Sequence, residues 1–283
     1  MGTVRYVLMV ALFQAPAPST ESGIDFYFTN DAVLQRGAAA AAAEWSARCV
    51  DGGEFATVAR SEAPDPRIGA DERRAQAAKF DTGEFVRLAT AAWRRTNAEL
   101  PQKPVRVCVD LAAVADTFIR DRMGRVTGVT AGAGRIVLKI HPDADWQKAL
   151  PYAVAHELHH SYWAEHHYDP AAPFTLADYL VFEGRADYLA GTLFGHGTPW
   201  TTALDDAAYA TTWRAVSKEL NVTQFETLRA VMFGSPKDGL PQWAGYSIGY
   251  RLVRERMARA PALDLKAMTA AAASEFMPGP AGK

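Results

Sequence analysis

Residues 151 to 167 read PYAVAHELHHSYWAEHH and hold five of the chain's seven histidines. This stretch constrains the fold more than any other. His156 and His160 are four apart, so on a helix both imidazoles project from one face. Glu157 lies about 100° round from His156 at 3.6 residues per turn. The pattern is H-E-x-x-H, in which two neutral imidazoles can hold Zn²⁺ and the Glu can take a proton from a water. Ala153, Val154, Ala155 and Leu158 surround the histidines, with Leu150 and Tyr162 extending the apolar wall. Such surroundings predict burial, and buried imidazoles beside a carboxylate need partners.

Two ligands do not complete a catalytic zinc site, which takes three protein donors and keeps one position open. His166 occupies the third-ligand position of H-E-x-x-H-x-x-G-x-x-H, but Trp163 stands where that motif needs Gly for a sharp turn. A Glu on a later helix fits better. Thr175 to Asp178 reads as a helix start, with Thr175 as N-cap and Asp178 at the third position. Leu176, Leu180, Glu183, Asp187 and Ala190 then share one face. Two acids on an otherwise apolar face are costly unless paired or bound to metal. Glu183 is therefore expected to ligate the metal. Asp187, one turn on, is expected to accept the other ring N–H of a ligating His.

The rest of the chain supplies the frame. Asp31 to Cys49 reads as one Ala-rich helix, and Asp51 to Ala78 as loop. A helix capped at Asp81 or Thr82 runs to about Glu99, and Val105 to Asp110 (VRVCVD) alternates as a strand. Residues 113 to 134 read as a short helix with a Gly-rich turn, and Arg135 to Ile140 as a second strand. The histidine helix is expected to start near Pro151, whose fixed φ suits a first helical position. From Thr175 the pattern is helical, with breaks near Gly195, Gly234 and Pro261. The expected fold class is α+β, a small mixed-sheet lobe (24–145) followed by a mostly helical one (146–283), within a single domain over 24–283.

Bulk properties exclude several roles. A formal charge of −2 gives no reason to expect nucleic acid. No run approaches the ~18 apolar residues of a spanning helix, so no stable membrane insertion is expected. Residues 1–20, with an apolar run from Tyr6 to Phe13 before Ala15 and Ala17, read as a secretory signal or as a first strand. Exported and cytoplasmic locations are thus equally open. So is the state of Cys49 and Cys108, one disulfide or two thiols.

HELHH, then FEGRAD, then GYSIGY at Gly245 to Tyr250 together resemble a bacterial domain-of-unknown-function family of predicted zinc-dependent proteases. More distantly the chain resembles gluzincin peptidases such as thermolysin. The likeness spans roughly Val105 to Met277. It implies a zincin-like fold with the active-site helix between the lobes. It also implies Zn²⁺ at His156, His160 and Glu183, Glu157 as general base, and a peptide or protein substrate. Gluzincin-like enzymes also place a Tyr or His donor near the developing oxyanion, for which Tyr246 is the first choice and Tyr250 the second. One such donor is worth roughly 3 kcal/mol of barrier. The likeness further implies an edge strand binding extended peptide, for which Arg135 to Ile140 is a candidate, with Gly132 to Gly134 leaving room for the substrate backbone. An inner strand is the alternative. Of the remaining residues, His159 reads as core or support for the ligands, His166 and His167 as the helix end, and Arg185 as a structural pairing group. Gly245 and Gly249 are positions of close helix packing. A non-catalytic zinc-binding or interaction protein is the competing function.

Overall fold

The computed structural model describes residues 23–143, 145–195 and 198–278. The run from Tyr6 to Phe13 and His196 lie outside the described residues. The first lobe comprises β1 (Ile24–Phe28), α1 (Thr29–Arg36), α2 (Ala38–Trp45), α3 (Ala56–Ala59), α4 (Ala70–Lys79), α5 (Thr82–Glu99), β2 (Val105–Leu111), α6 (Thr117–Arg122), β3 (Val126–Gly132) and β4 (Arg135–Ile140). The helical part comprises α7 (Trp146–His166), α8 (Leu176–Phe194), α9 (Asp206–Val216), α10 (Phe225–Phe233), α11 (Ala244–Arg259) and α12 (Leu265–Ala270). The α+β expectation holds.

The sheet order is β1-β2-β4-β3, with β1, β2 and β4 parallel and β3 antiparallel to β4. Alternation sorts its faces. Val105, Val107, Val109, Ile136, Leu138 and Ile140 face Phe85, Ala89 and Ala92 of α5 and Trp146, Leu150, Val154 and Leu158 of α7. Cys108 and Val137 face the other way, onto Ala41, Trp45, Val50 and Ala59. On that second face Cys49 and Cys108 form a disulfide spanning 59 residues.

Several local expectations need correction. The Ala-rich helix is two helices, because Gly37 takes φ +84° between them. Residues 51 to 78 are not all loop: α3 and most of α4 lie there, the second anchored by the buried side chains Arg73 and Gln76. Residues 113 to 134 hold a strand, β3, as well as α6. The helix α7 begins five residues before Pro151, because Trp146 and Leu150 continue the four-residue stripe into the sheet core. Pro151 sits inside it, at the cost of the hydrogen bond its missing N–H would have made. Finally, β4 is an inner strand and β3 is the edge, so Arg135 to Ile140 cannot offer a free edge. The Gly132 approach is filled by the chain itself: a Cβ there would lie 2.5 Å from the Glu54 nitrogen.

In the helical part α8 lies between α7 and α11. A Cβ on Gly184 would lie 2.2 Å from the Gly249 carbonyl oxygen, and one on Gly249 2.0 Å from that of Leu180. These two glycines let the α8 and α11 backbones touch. Gly245 packs instead against Met232 of α10. No helix among the described residues is long and apolar enough to cross a membrane.

Candidate metal centre

The helices α7 and α8 bring three donor atoms together. His156 Nε2 is 3.0 Å from His160 Nε2 and 3.2 Å from Glu183 Oε2, and His160 Nε2 is 3.3 Å from that same oxygen. Local sequence explains the placement. The i, i+4 spacing on α7 aligns the two imidazoles. A complete capping box fixes the start of α8: Asp178 N–H donates to Thr175 Oγ1 at 3.2 Å and Thr175 N–H to Asp178 Oδ2 at 2.9 Å. Two turns later Glu183 meets α7.

These residues could hold a metal ion, and the fit can be tested. A tetrahedral cation with bonds of roughly 2.0–2.1 Å separates its donors by about 3.3 Å. The three observed separations sit close to that value. The protonation pattern agrees. His156 Nδ1–H donates to Asp187 Oδ1 at 3.0 Å, which leaves the Nε2 lone pair aimed into the cluster. Among the described residues, neither Glu157, Glu183 nor Asp187 has a Lys or Arg partner. Three buried carboxylates without a cation are costly.

The charge state carries the same message. Burial pushes the His156 pKa down, but Asp187, Glu183 and Glu157 together outweigh it and hold the ring well above its usual value. Glu183 is depressed to about 2, its burial overcome by His160 and His156. Without a cation the cluster draws in a proton where positive charge is missing.

Around the donors, Asp187 is fully buried, and its Oδ1 also accepts from Tyr152 Oη at 2.8 Å and Trp200 Nε1 at 2.9 Å. His160 is held differently: its ring stacks on Phe182 at 3.9 Å and 13°. Glu157 points to β3, where the Thr130 hydroxyl donates to its Oε2 at 2.8 Å. A Cβ on Gly128 would lie 2.7 Å from Glu157 Oε1, so that glycine makes the space the carboxylate fills. Burial raises the Glu157 pKa, with His156 and His160 pulling it back.

Tyr246 is raised well above a normal phenol, by burial first and then by the charges of Glu183, Asp187 and Glu157. Tyr250 is raised by burial first, with the Asp187 charge adding to it and Arg254 opposing it. Tyr179, one turn before Glu183, is also raised by burial and by Glu183. Sequence reasoning missed Tyr152, Trp200, Thr130, Gly128 and Tyr179. Only Tyr179 carried a local signal, its helical spacing to Glu183. His159 is fully buried against the His160 ring, a core position. His166 is exposed and packs on Tyr162, outside the cluster. Arg185 is structural, though its partners are not acids. It donates to the carbonyls of Thr269, at 3.2 Å, and Ala271, and its guanidinium lies 4.7 Å from the Phe276 ring centroid.

Comparison with known proteins agrees with this geometry. The chain is 33% identical over 138 residues to the uncharacterized protein YjfC of Bacillus subtilis (strain 168), a match covering 44% of this chain and 45% of that protein. The match thus spans under half the length of this relative. No solved structure matches the chain significantly. Residues 85–278, well over half of the chain and including every donor described above, match a family described as predicted Zn-dependent protease (DUF2268), and the chain belongs to that family.

Proposed function

We propose that the chain is a zinc metallopeptidase of the H-E-x-x-H…E, gluzincin type, with His156, His160 and Glu183 as ligands. The observation that carries the reading is the set of three lone-pair donors 3.0–3.3 Å apart with, among the described residues, no Lys or Arg paired to the adjoining acids. A zinc ion held there would acidify a water and polarise a carbonyl. Glu157 takes the proton of the attacking water, then delivers it to the leaving amine nitrogen. Burial raises its pKa above that of an ordinary carboxylate, the direction that favours returning the proton after taking it. The Thr130 hydroxyl holds the carboxylate in place meanwhile. Asp187 fixes the tautomer and orientation of His156. Tyr246, protonated at neutral pH as phenols are, donates to the oxygen that becomes negative.

The substrate is a peptide or protein. The edge strand β3 is suited to receive its backbone. His141 N–H bonds to the Arg125 carbonyl across the β3–β4 pair, and the antiparallel register then turns the N–H and C=O of Gly128 and Thr130 to the free side, beside Glu157. Metal content and cleavage of a mixed peptide library test the proposal together. The expected result is about one zinc per chain and hydrolysis that stops on chelation and returns with Zn²⁺. Zinc retained without hydrolysis of any peptide would favour a non-catalytic zinc protein; no zinc at all would remove the site.

A further inference from the structure

A second surface adjoins the metal centre. Phe55 comes from the segment before α3, Trp163 and Tyr168 from the end of α7 and just beyond, and Phe174 and Phe182 from the approach to α8 and its face. Their rings meet at 5.1 to 6.4 Å: Trp163–Phe182 at 5.1, Phe55–Tyr168 at 5.4, Phe174–Phe182 at 5.8, Phe55–Phe182 at 6.0 and Phe55–Trp163 at 6.4 Å. This is not closed core. Tyr168 and Phe174 are each 37% exposed, and Phe55, Trp163 and Phe182 are half-buried. A joined aromatic surface partly left in water is a candidate binding surface.

Two contacts say what the surface binds. Phe182 stacks directly on His160, so the wall starts at the metal centre. Phe55 N–H donates to the Ala131 carbonyl at 2.9 Å, so the wall also starts at the end of the β3 edge, just past Gly128 and Thr130. A strand laid along that edge advances about 3.3 Å per residue, with alternate side chains on one face. Side chains within about two positions of the reacting carbonyl would then meet the wall. We propose that Phe55, Trp163, Phe174 and Phe182 form a recognition subsite for an aromatic or large apolar side chain of the peptide substrate, within two residues of the scissile bond. Built of rings, the wall selects by apolar area and ring stacking and offers no charge to compensate an acidic or basic side chain.

This inference rests on the peptidase reading, and the experiment separates the two. The zinc-loaded full chain is given a randomised peptide library, then a peptide pair differing only at the preferred position, Phe against Ala. Aromatic and large apolar residues should be enriched beside the cut. The kcat/KM ratio of Phe to Ala peptide should fall about tenfold in Trp163→Ala and in Phe174→Ala, with zinc content unchanged. Phe174 is exposed, so its variant reports even if Trp163→Ala folds poorly. Cleavage without aromatic preference, or a ratio unmoved by both substitutions, overturns the subsite and leaves the peptidase standing. No cleavage of any peptide overturns both. Co-sedimentation with anionic lipid vesicles that Phe174→Ala abolishes, with the cleavage ratio unchanged, would assign the wall to a membrane surface and overturn the proposal too.

Discussion

Two buried polar clusters lie on opposite sides of this molecule's chemistry. In the first lobe Arg73 of α4, Asp110 of β2 and Asn30 of α1 are at most 4% exposed, and Gln76 is fully buried. Arg73 donates to Asn30 Oδ1 at 2.6 Å, to Asp110 Oδ1 at 3.3 Å and to the Asp65 carbonyl at 3.0 Å. Asn30 Nδ2 donates to Gln76 at 3.2 Å, and Gln76 Nε2 to the Ala112 carbonyl at 2.7 Å. Here most donors meet acceptors, with Arg73 Nε and Asp110 Oδ2 left over, and a guanidinium meets a carboxylate. At the α7–α8 contact, three lone pairs face one another amid three carboxylates. The first cluster carries its own cation, and the second, on the proposed reading, takes up a metal ion in that place. That difference separates a self-neutralised polar network from one that could hold a metal ion.

The comparison can be broken most sharply at Glu157. Glu157→Gln keeps the shape that Gly128 accommodates but cannot accept a proton. Peptide hydrolysis should fall by roughly 10³-fold or more, with zinc stoichiometry unchanged, since general-base catalysis contributes about 10²–10⁴-fold. An active Glu157→Gln enzyme would sink its role as base. The next largest effect is expected at the other cluster, and in stability alone. Arg73→Met leaves Asp110 buried without its counter-charge, which should cost about 3–5 kcal/mol by chemical denaturation. Zinc binding should survive in the folded fraction; zinc lost in step with Arg73 would mean the clusters are not independent. Tyr246→Phe should lower kcat about 10²-fold while leaving zinc affinity and KM nearly unmoved. A change confined to KM would make Tyr246 a wall of the cleft instead of an oxyanion donor.

The two clusters were unequally legible in the sequence. His156, His160, Glu183 and Asp187 announce themselves because each pair sits one turn apart, and helical periodicity is a local record. The capping box at Thr175 is local for the same reason. Arg73 and Asp110 are 37 residues apart on a helix and a strand, and no spacing rule joins them. Strand order is equally silent: VRVCVD reveals a strand but not its neighbours. The strand β3 reads TGVTAG over most of its length, and its glycines hid it. Tyr152 meets Asp187 across two helices, and Trp200 reaches it from beyond the end of α8, so the supporting shell required the fold.

The smallest effect is expected at Asp187, and it tests whether the imported cation is tuned by its surroundings. Its Oδ1 takes hydrogen bonds from His156, Tyr152 and Trp200 together. Asp187→Asn keeps the volume, and its amide oxygen can still accept from His156 Nδ1–H. What it removes is the negative charge, which with Glu183 and Glu157 holds the His156 pKa up against burial. Two consequences oppose each other. The less basic ring binds a proton more weakly, which lessens competition with the metal as pH falls. It also donates a weaker lone pair, and its orientation is less firmly fixed. Losing such a partner commonly costs 10–100-fold in metal affinity. Zinc affinity at neutral pH should therefore fall by about that factor, measured by competition with a chelator of known strength. The pH at which affinity begins to drop should move downward, because His156 protonates later on the way to acid. An unchanged affinity with an unmoved acid edge would mean that Asp187 is a structural hydrogen-bonding group, as Gln76 is in the first cluster.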